Sequence, residues 1–427
     1  MAHLTGPQIE KAAELVGTPF YAYSAPALRA RAKTLRDGIP EAGFVYSLKA
    51  NPNMSIVRCL SQAGIGAEVC SLFELEVAIA AGVCPSQIIF VGPAKAPQDI
   101  RRAVTVGLKA IIAESIEELN LIDIIASDCR VVQPVGLRIN PAFHSMGAKL
   151  SMSGKPTQFG IDADDIDAAL TVLADCDHLT LGGLHVYMGT RILNHEVVAE
   201  NTRNILALAD DIIAKLDKPL DFVDIGGGYG VPYDAGETAL DFDKLAASVN
   251  AQAKTWKARH PGTKVIIELG RYMTAEAGVF VSQVRYIKTS KGVKFAICDG
   301  GTNLHGAAGT SAGFRRNFPM SAVTPRTSET RDWNISGPLC TPTDIFGNKV
   351  AMTDLQAGDL LRVESSGAYG LTASPLKFLS FATPAEVMID GDDIVQIRAV
   401  ETLDQHLAQF TPQTLTADQR TPVAEEQ

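Results

Sequence analysis

With 427 residues, 46% of them hydrophobic, the chain is long enough for about two or three domains and a large buried core, which excludes disorder as its default state. A net charge of −10, a pI near 5.4 and the lack of any basic block exclude nucleic acid and anionic membrane as expected partners. No apolar run approaches the roughly 20 residues of a membrane span. The N-terminus, Met1-Ala2-His3-Leu4-Thr5-Gly6, has no basic-then-apolar signal pattern, and the 7 scattered cysteines form no CxxC pairs, so a reduced, cytoplasmic protein without disulfides or a metal site is expected.

Eight short apolar segments are predicted as strands, in chain order Phe44–Leu48, Gly66–Val69, Ile88–Gly92, Lys109–Ala113, Val135–Ile139, Leu181–Tyr187, Phe222–Ile225 and Val265–Glu268. Each is followed by a stretch with helical spacing, such as Ile56, Val57 and Leu60, or Leu72, Leu75, Val77, Ala78 and Ile79. Repeated strand–helix alternation predicts an α/β fold, a (β/α)8 TIM barrel over residues 22–275; an open doubly wound sheet has the same periodicity. After Gly278 the helices give way to turns, and Val279–Ile287, Val293–Cys298, Leu360–Glu364, Ala385–Asp390 and Ile394–Ala399 predict a C-terminal all-β domain over 276–410. Residues 411–427, rich in Thr, Pro, Gln and Glu, are expected to be a flexible tail.

Barrel enzymes build their sites at the C-terminal ends of the strands. Lys49 stands there after the first strand, in Tyr46-Ser47-Leu48-Lys49-Ala50-Asn51-Pro52. Glu68 and Ser71 close the second strand, Arg138 and Asn140 the fifth, Tyr187 and Thr190 the sixth, and Glu268 and Arg271 the eighth. Gly226-Gly227-Gly228 follows the seventh, where a run without Cβ atoms lets backbone N–H groups close on phosphate; a flexible turn is the alternative. Each polar residue also has a plain reading: a solvated lysine, or a Glu268–Arg271 ion pair.

Taken together, Lys49, the glycine triplet, Glu268-Leu269-Gly270-Arg271, Gly337-Pro338-Leu339-Cys340 and Gly367-Ala368-Tyr369-Gly370 recur in an order that resembles the fold-type III pyridoxal-phosphate decarboxylases of the ornithine/diaminopimelate family, whose fold is shared with alanine racemase. The resemblance runs from about residue 18 to 405. It implies that residues 1–21 complete the β domain and that the chain is a homodimer with shared active sites. It also implies pyridoxal 5'-phosphate, held covalently by Lys49 and contacted by Glu68, Tyr187, Thr190, Gly226, Gly227, Gly228, Gly270, Arg271 and Tyr369. Glu268 would face the pyridine nitrogen; racemases of this fold place an arginine there, so a carboxylate favours decarboxylation. Cys340 would deliver a proton across the dimer interface, its plain reading being a buried structural thiol.

The chain also departs from the family pattern. In Gly183-Leu184-His185-Val186-Tyr187-Met188-Gly189-Thr190 the ring-stacking histidine position holds Tyr187. Thr341 stands after Cys340, where enzymes of free diamino acids carry an acid that pairs with the distal ammonium. Ser374-Pro375-Leu376-Lys377 replaces a Tyr-Asn pair, and Gly306–Asn317 offers Arg315 and Arg316. With Arg138, Thr341 and Asp344, these two arginines are the substrate-binding candidates. The departures resemble a subgroup that includes the butirosin carrier-protein-linked glutamyl decarboxylase and siderophore- and exosortase-associated relatives. The expected substrate is therefore an amino acid with a masked distal end (acylated, citryl-linked or carrier-linked). The alternatives are a diaminopimelate or other free diamino-acid decarboxylase, a racemase, and a regulatory pseudo-enzyme.

Overall fold

The computed structural model describes residues 4–144, 150–234, 236–308 and 317–412. Eight parallel strands, Ala42–Ser47, Gly66–Val69, Ile88–Phe90, Ala110–Ala113, Gln133–Asn140, Leu179–His185, Phe222–Gly227 and Lys264–Leu269, pair in sequence order. The eighth pairs the first, which closes the barrel and removes the open-sheet alternative. Short apolar runs suit this position because both faces of a barrel strand are covered. Val45, Ile89, Ala110, Ile112, Phe222 and Ile266 plug the interior. Phe222 fits because Gly183 leaves room for it: a Cβ there would lie 2.5 Å from its ring.

Seven strands are followed by helices, from Met54–Gln62 to Phe242–Arg259. The eighth departs from expectation. It leads only into the four-residue turn of helix Arg271–Thr274, after which the chain leaves the barrel as strand Gly278–Ser290. Helix Ala25–Gly38, which precedes the first strand, fills the gap by packing on both Phe242–Arg259 and Met54–Gln62.

The second sheet runs in the order Ile345–Thr353, Thr330–Ser336, Val293–Cys298, Gly278–Ser290, Phe20–Ser24, Ala385–Asp390, Asp393–Arg398. Met320–Ala322 joins through Leu360–Val363. The N-terminal strand is inserted antiparallel to Gly278–Ser290 and parallel to Ala385–Asp390, and it runs to Ser24, past the 21/22 boundary drawn from sequence. Met320–Ala322, Thr330–Ser336 and Ile345–Thr353 have no counterpart among the predicted strands. In Thr330–Ser336 only the alternate residues Trp333 and Ile335 are buried, and the polar face hides the pattern.

Hydrogen bonds lock the two units together beside the first barrel strand. Glu386 accepts from the Tyr23 hydroxyl at 2.6 Å and from Asn53 Nδ2 at 2.8 Å. Tyr369 N–H donates to the Ala50 carbonyl at 2.8 Å, and Asn51 Nδ2 to the Gly367 carbonyl at 3.1 Å. The turn carrying Lys49 is thereby fixed to the β-domain loop carrying Tyr369.

Candidate active site

Strand register brings the central cluster together. The first strand lies between the second and the eighth, with Ser47 opposite Glu68 and Val45 opposite Glu268. Lys49, on the turn Leu48–Ala50, consequently reaches both acids, its Nζ 3.2 Å from Glu68 Oε1 and 3.2 Å from Glu268 Oε1. Glu268 also accepts from Ser47 Oγ at 3.0 Å and lies 3.0 Å from His185 Nε2; the Cys70 thiol donates to Glu68 at 2.9 Å.

The three charges perturb one another. Burial opposes the carboxylate of Glu268, yet Lys49 and then His185 hold it well below the usual carboxylate range. Burial, followed by repulsion from Glu268, pushes Glu68 up to about 7. Burial opposes the Lys49 ammonium too, but Glu68 and Glu268 keep it above its ordinary value. His185 is pushed down, since burial outweighs its bond to Glu268.

The cluster floors a cavity of about 760 Å³ lined by Arg138, Tyr187, Thr190, Arg271 and Tyr369 among others. The Tyr187 ring centre is 5.6 Å from Lys49 Nζ, on the loop beyond the sixth strand. Arg271 donates to the Tyr233 hydroxyl at 2.7 Å and lies over the Tyr369 ring at 4.5 Å, while its Nε is buried without a partner. Arg138 is committed to Glu114 at 3.0 and 3.1 Å.

The glycine triplet is packed against backbone. A Cβ on Gly228 (φ 71°) would lie 1.9 Å from the Gly189 carbonyl, and one on Gly227 would lie 2.2 Å from that of Glu268. Gly270 plays a similar part, since a Cβ there would meet Ala50 at 2.9 Å. Gly228→Ala is expected to lower stability by about 1–3 kcal/mol through backbone strain, measured by urea unfolding. Gly43→Ala, whose Cβ meets nothing nearer than 3.9 Å, is the control and should lose less.

A family model described as "Pyridoxal-dependent decarboxylase, pyridoxal binding domain" matches residues 26–275. The chain belongs to this family. It is 38% identical to an L-glutamyl-[BtrI acyl-carrier protein] decarboxylase of Niallia circulans, over 92% of this chain and 93% of the relative. It is 30% identical to a diaminopimelate decarboxylase of Pseudomonas aeruginosa, over 94% of each. A diaminopimelate decarboxylase from Helicobacter pylori, solved in complex with L-lysine, superposes with a TM-score of 0.85 at 26% identity, covering 94% of this chain and 98% of that one.

Other candidates lie apart from the cavity of this decarboxylase. Cys340 is exposed on the β-domain loop between Thr330–Ser336 and Ile345–Thr353, and neither it nor Thr341 lines the cavity within one chain. Asp344, a substrate-binding candidate from sequence, is 2% exposed and accepts from Thr302 N–H and Oγ1 at 2.8 Å each and from Leu339 N–H at 2.7 Å, so it shapes the Cys340 loop. Ser71 caps helix Leu72–Ala80 by accepting from Glu74 N–H, and Asn140 bonds to Gly154, Lys155 and Asp162. Arg315 and Arg316 lie outside the described residues.

Sequence reading missed Cys70, Phe159, Arg191, Tyr233 and Phe318, all of which line the cavity. Arg191 directly follows the Gly189-Thr190 motif and was within reach of that reasoning; the rest sit on loops or in non-motif positions without periodicity.

Proposed function

We propose that this decarboxylase removes the α-carboxylate of an L-amino acid whose distal end is masked, with pyridoxal 5'-phosphate held in the Lys49 cavity. The observation that carries the reading is the Lys49–Glu68–Glu268 cluster beneath a cavity in which, among the described lining residues, Glu268 is the only carboxylate. Its oxygens already serve Lys49, Ser47 and His185, so a free distal ammonium would find no unengaged carboxylate among the lining residues of one chain. The relative at 38% identity, named for a carrier-linked glutamyl group, supports the same direction.

The donor set suits the cofactor. Arg271 has no carboxylate partner among the described residues, and its buried Nε lacks an acceptor, as fits a phosphate-binding guanidinium. Thr190, Tyr369 and the triplet would complete that end, Gly270 would let the Arg271 turn lie against the Lys49 turn, and Tyr187 would present a ring face. When bound, the cofactor supplies an electron sink for the pair released as CO2 departs. Lys49 would hold it covalently once its ammonium has given up a proton. Glu68, at about 7 and 3.2 Å away, is the group that takes that proton. Glu268, kept ionised, would stabilise positive charge on the cofactor, which would support decarboxylation over racemisation. Cys340 of a second subunit would return a proton to Cα in a homodimer. The 7 free cysteines support a reducing, cytoplasmic setting. Among the described residues no helix is long and apolar enough to cross a membrane.

The test is CO2 release from a panel of free, acylated, citryl-linked and carrier-linked amino acids, followed by mass spectrometry. Faster turnover of meso-diaminopimelate, ornithine or lysine than of any masked substrate would overturn the substrate reading. Thr341→Glu should shift preference toward ornithine or lysine by about ten- to a hundredfold in kcat/KM, since a charged hydrogen bond in a closed site contributes about 1.5–3 kcal/mol.

A further inference from the structure

Glu68, Asp224 and Glu268 are three buried carboxyl groups, and the cation that bridges two of them is the single Lys49 ammonium. Arg138, the neighbouring cation on the fifth strand, is neutralised by Glu114. Asp224 lies on the seventh strand opposite His185 of the sixth, just before a bulge that brings Gly227 opposite Glu268. It is 1% exposed. Its Oδ1 accepts the Gly226 N–H at 2.9 Å, while Oδ2 is buried without a partner. The same is true of His185 Nδ1, and one polar atom from each of Asp224, His185 and Glu268 lies within 4.8 Å of the others. The two orphan atoms thus belong to residues of one buried cluster, and no role described so far uses either.

A neutral imidazole has one donor and one acceptor nitrogen. If His185 donates from Nε2 to Glu268, Nδ1 is an acceptor that needs a proton aimed at it. If it takes the other tautomer, a lone pair faces the Glu268 carboxylate and repels it. Two adjacent buried carboxyls do not both ionise. Glu268 has Lys49, Ser47 and His185 to stabilise its charge, whereas Asp224 has one backbone N–H. We propose that Asp224 is a neutral carboxylic acid whose proton serves His185 Nδ1, directly or through one water, and that it thereby positions His185 to donate to Glu268 and keep that residue the ionised member of the cluster. Burial and then the charge of Glu268 raise Asp224 well above its ordinary value; Glu68 adds to this, and Lys49, the facing cation, opposes it. The same trio would suit a divalent metal, but both Glu268 oxygens are already bonded.

The inference rests on Glu268 being the group that meets the cofactor ring. The protonation state itself is read independently, by infrared difference spectroscopy with isotope-labelled aspartate. Wild-type protein at neutral pH should show the carbonyl band of a protonated carboxyl that Asp224→Asn removes, with or without cofactor. The amide of Asp224→Asn still donates, so kcat should stay within about threefold of wild type with an unshifted pH profile. Asp224→Ala should lose about ten- to a hundredfold in kcat, the cost of an orphaned buried group. Absence of the protonated band, or equal loss in the Asn and Ala variants, would overturn the proposal, as would full activity in both. Should Asp224→Ala fail to fold, the band and the Asp224→Asn kinetics still decide it. A wild-type protein that shows the band but takes up no pyridoxal phosphate would sink the cofactor reading alone.

Discussion

Lys49→Ala is expected to abolish turnover and to leave no cofactor attached to the chain after borohydride reduction and denaturation. The change removes the group proposed to hold the cofactor and also the ammonium that neutralises the floor of the cavity. Glu68 and Glu268, both buried, then face each other without a cation, a destabilising arrangement, although solvent reaches the Lys49 side and lowers the cost below that of a fully buried pair. The variant escapes part of that cost by protonating Glu68, already at about 7, so folding should survive while loading does not. The measurement is peptide mass mapping of the reduced, pyridoxal-phosphate-loaded wild type, which should place the adduct on the Lys49 peptide. Lys95 is the informative competitor, because it too pairs with a carboxylate and is the more buried of the two. Its Nζ donates to the Gly92 and Ile112 carbonyls and to Glu118 at 2.7 Å each, so it has no free capacity. An adduct on Lys95, or on any other lysine, would falsify the assignment.

The part of the site legible in the sequence was the part written by barrel geometry. Lys49, Glu68, Tyr187 and Glu268 could be found because strands end at one rim and polar residues cluster there. Proximity to a motif does not show which way a side chain turns: Asp344 is four residues from Cys340, and its carboxylate faces inward to three donors. Arg138 was read as a substrate contact, and the acid that holds it, Glu114, lies just past the end of the adjacent strand with no motif to mark it. The eighth helix was misplaced because periodicity cannot reveal that a segment before the first strand packs where one after the last was expected. Tyr233 and Phe318 meet at 4.6 Å between ring centres, a contact between a barrel loop and the β domain that exists only once both are folded. Local pattern finds what one element presents; contacts between distant elements need the fold.

Mixing two inactive proteins should restore activity, and this is the result that bears most directly on the assembly. Lys49 lies in the barrel and Cys340 on an exposed loop of the β domain, and in one chain the two do not share a cavity. A thiol so placed can serve the Lys49 site only from a second copy. In a closed two-fold dimer each site would take Lys49 from one subunit and Cys340 from the other. A Lys49→Ala subunit paired with a Cys340→Ala subunit then builds one site lacking both groups and one that is intact. At equal input and random exchange about half of the dimers are mixed, so about one quarter of wild-type activity should return. The Cys340→Ala homodimer should still load pyridoxal phosphate on Lys49, which separates loss of the proton donor from loss of the cofactor. Activity should rise with exchange time after mild denaturant treatment, while either parent treated alone stays inactive. If subunit exchange is verified by mass spectrometry and no activity returns, Cys340 does not act across an interface. The exposed loop that Asp344 holds in place would then need a different role.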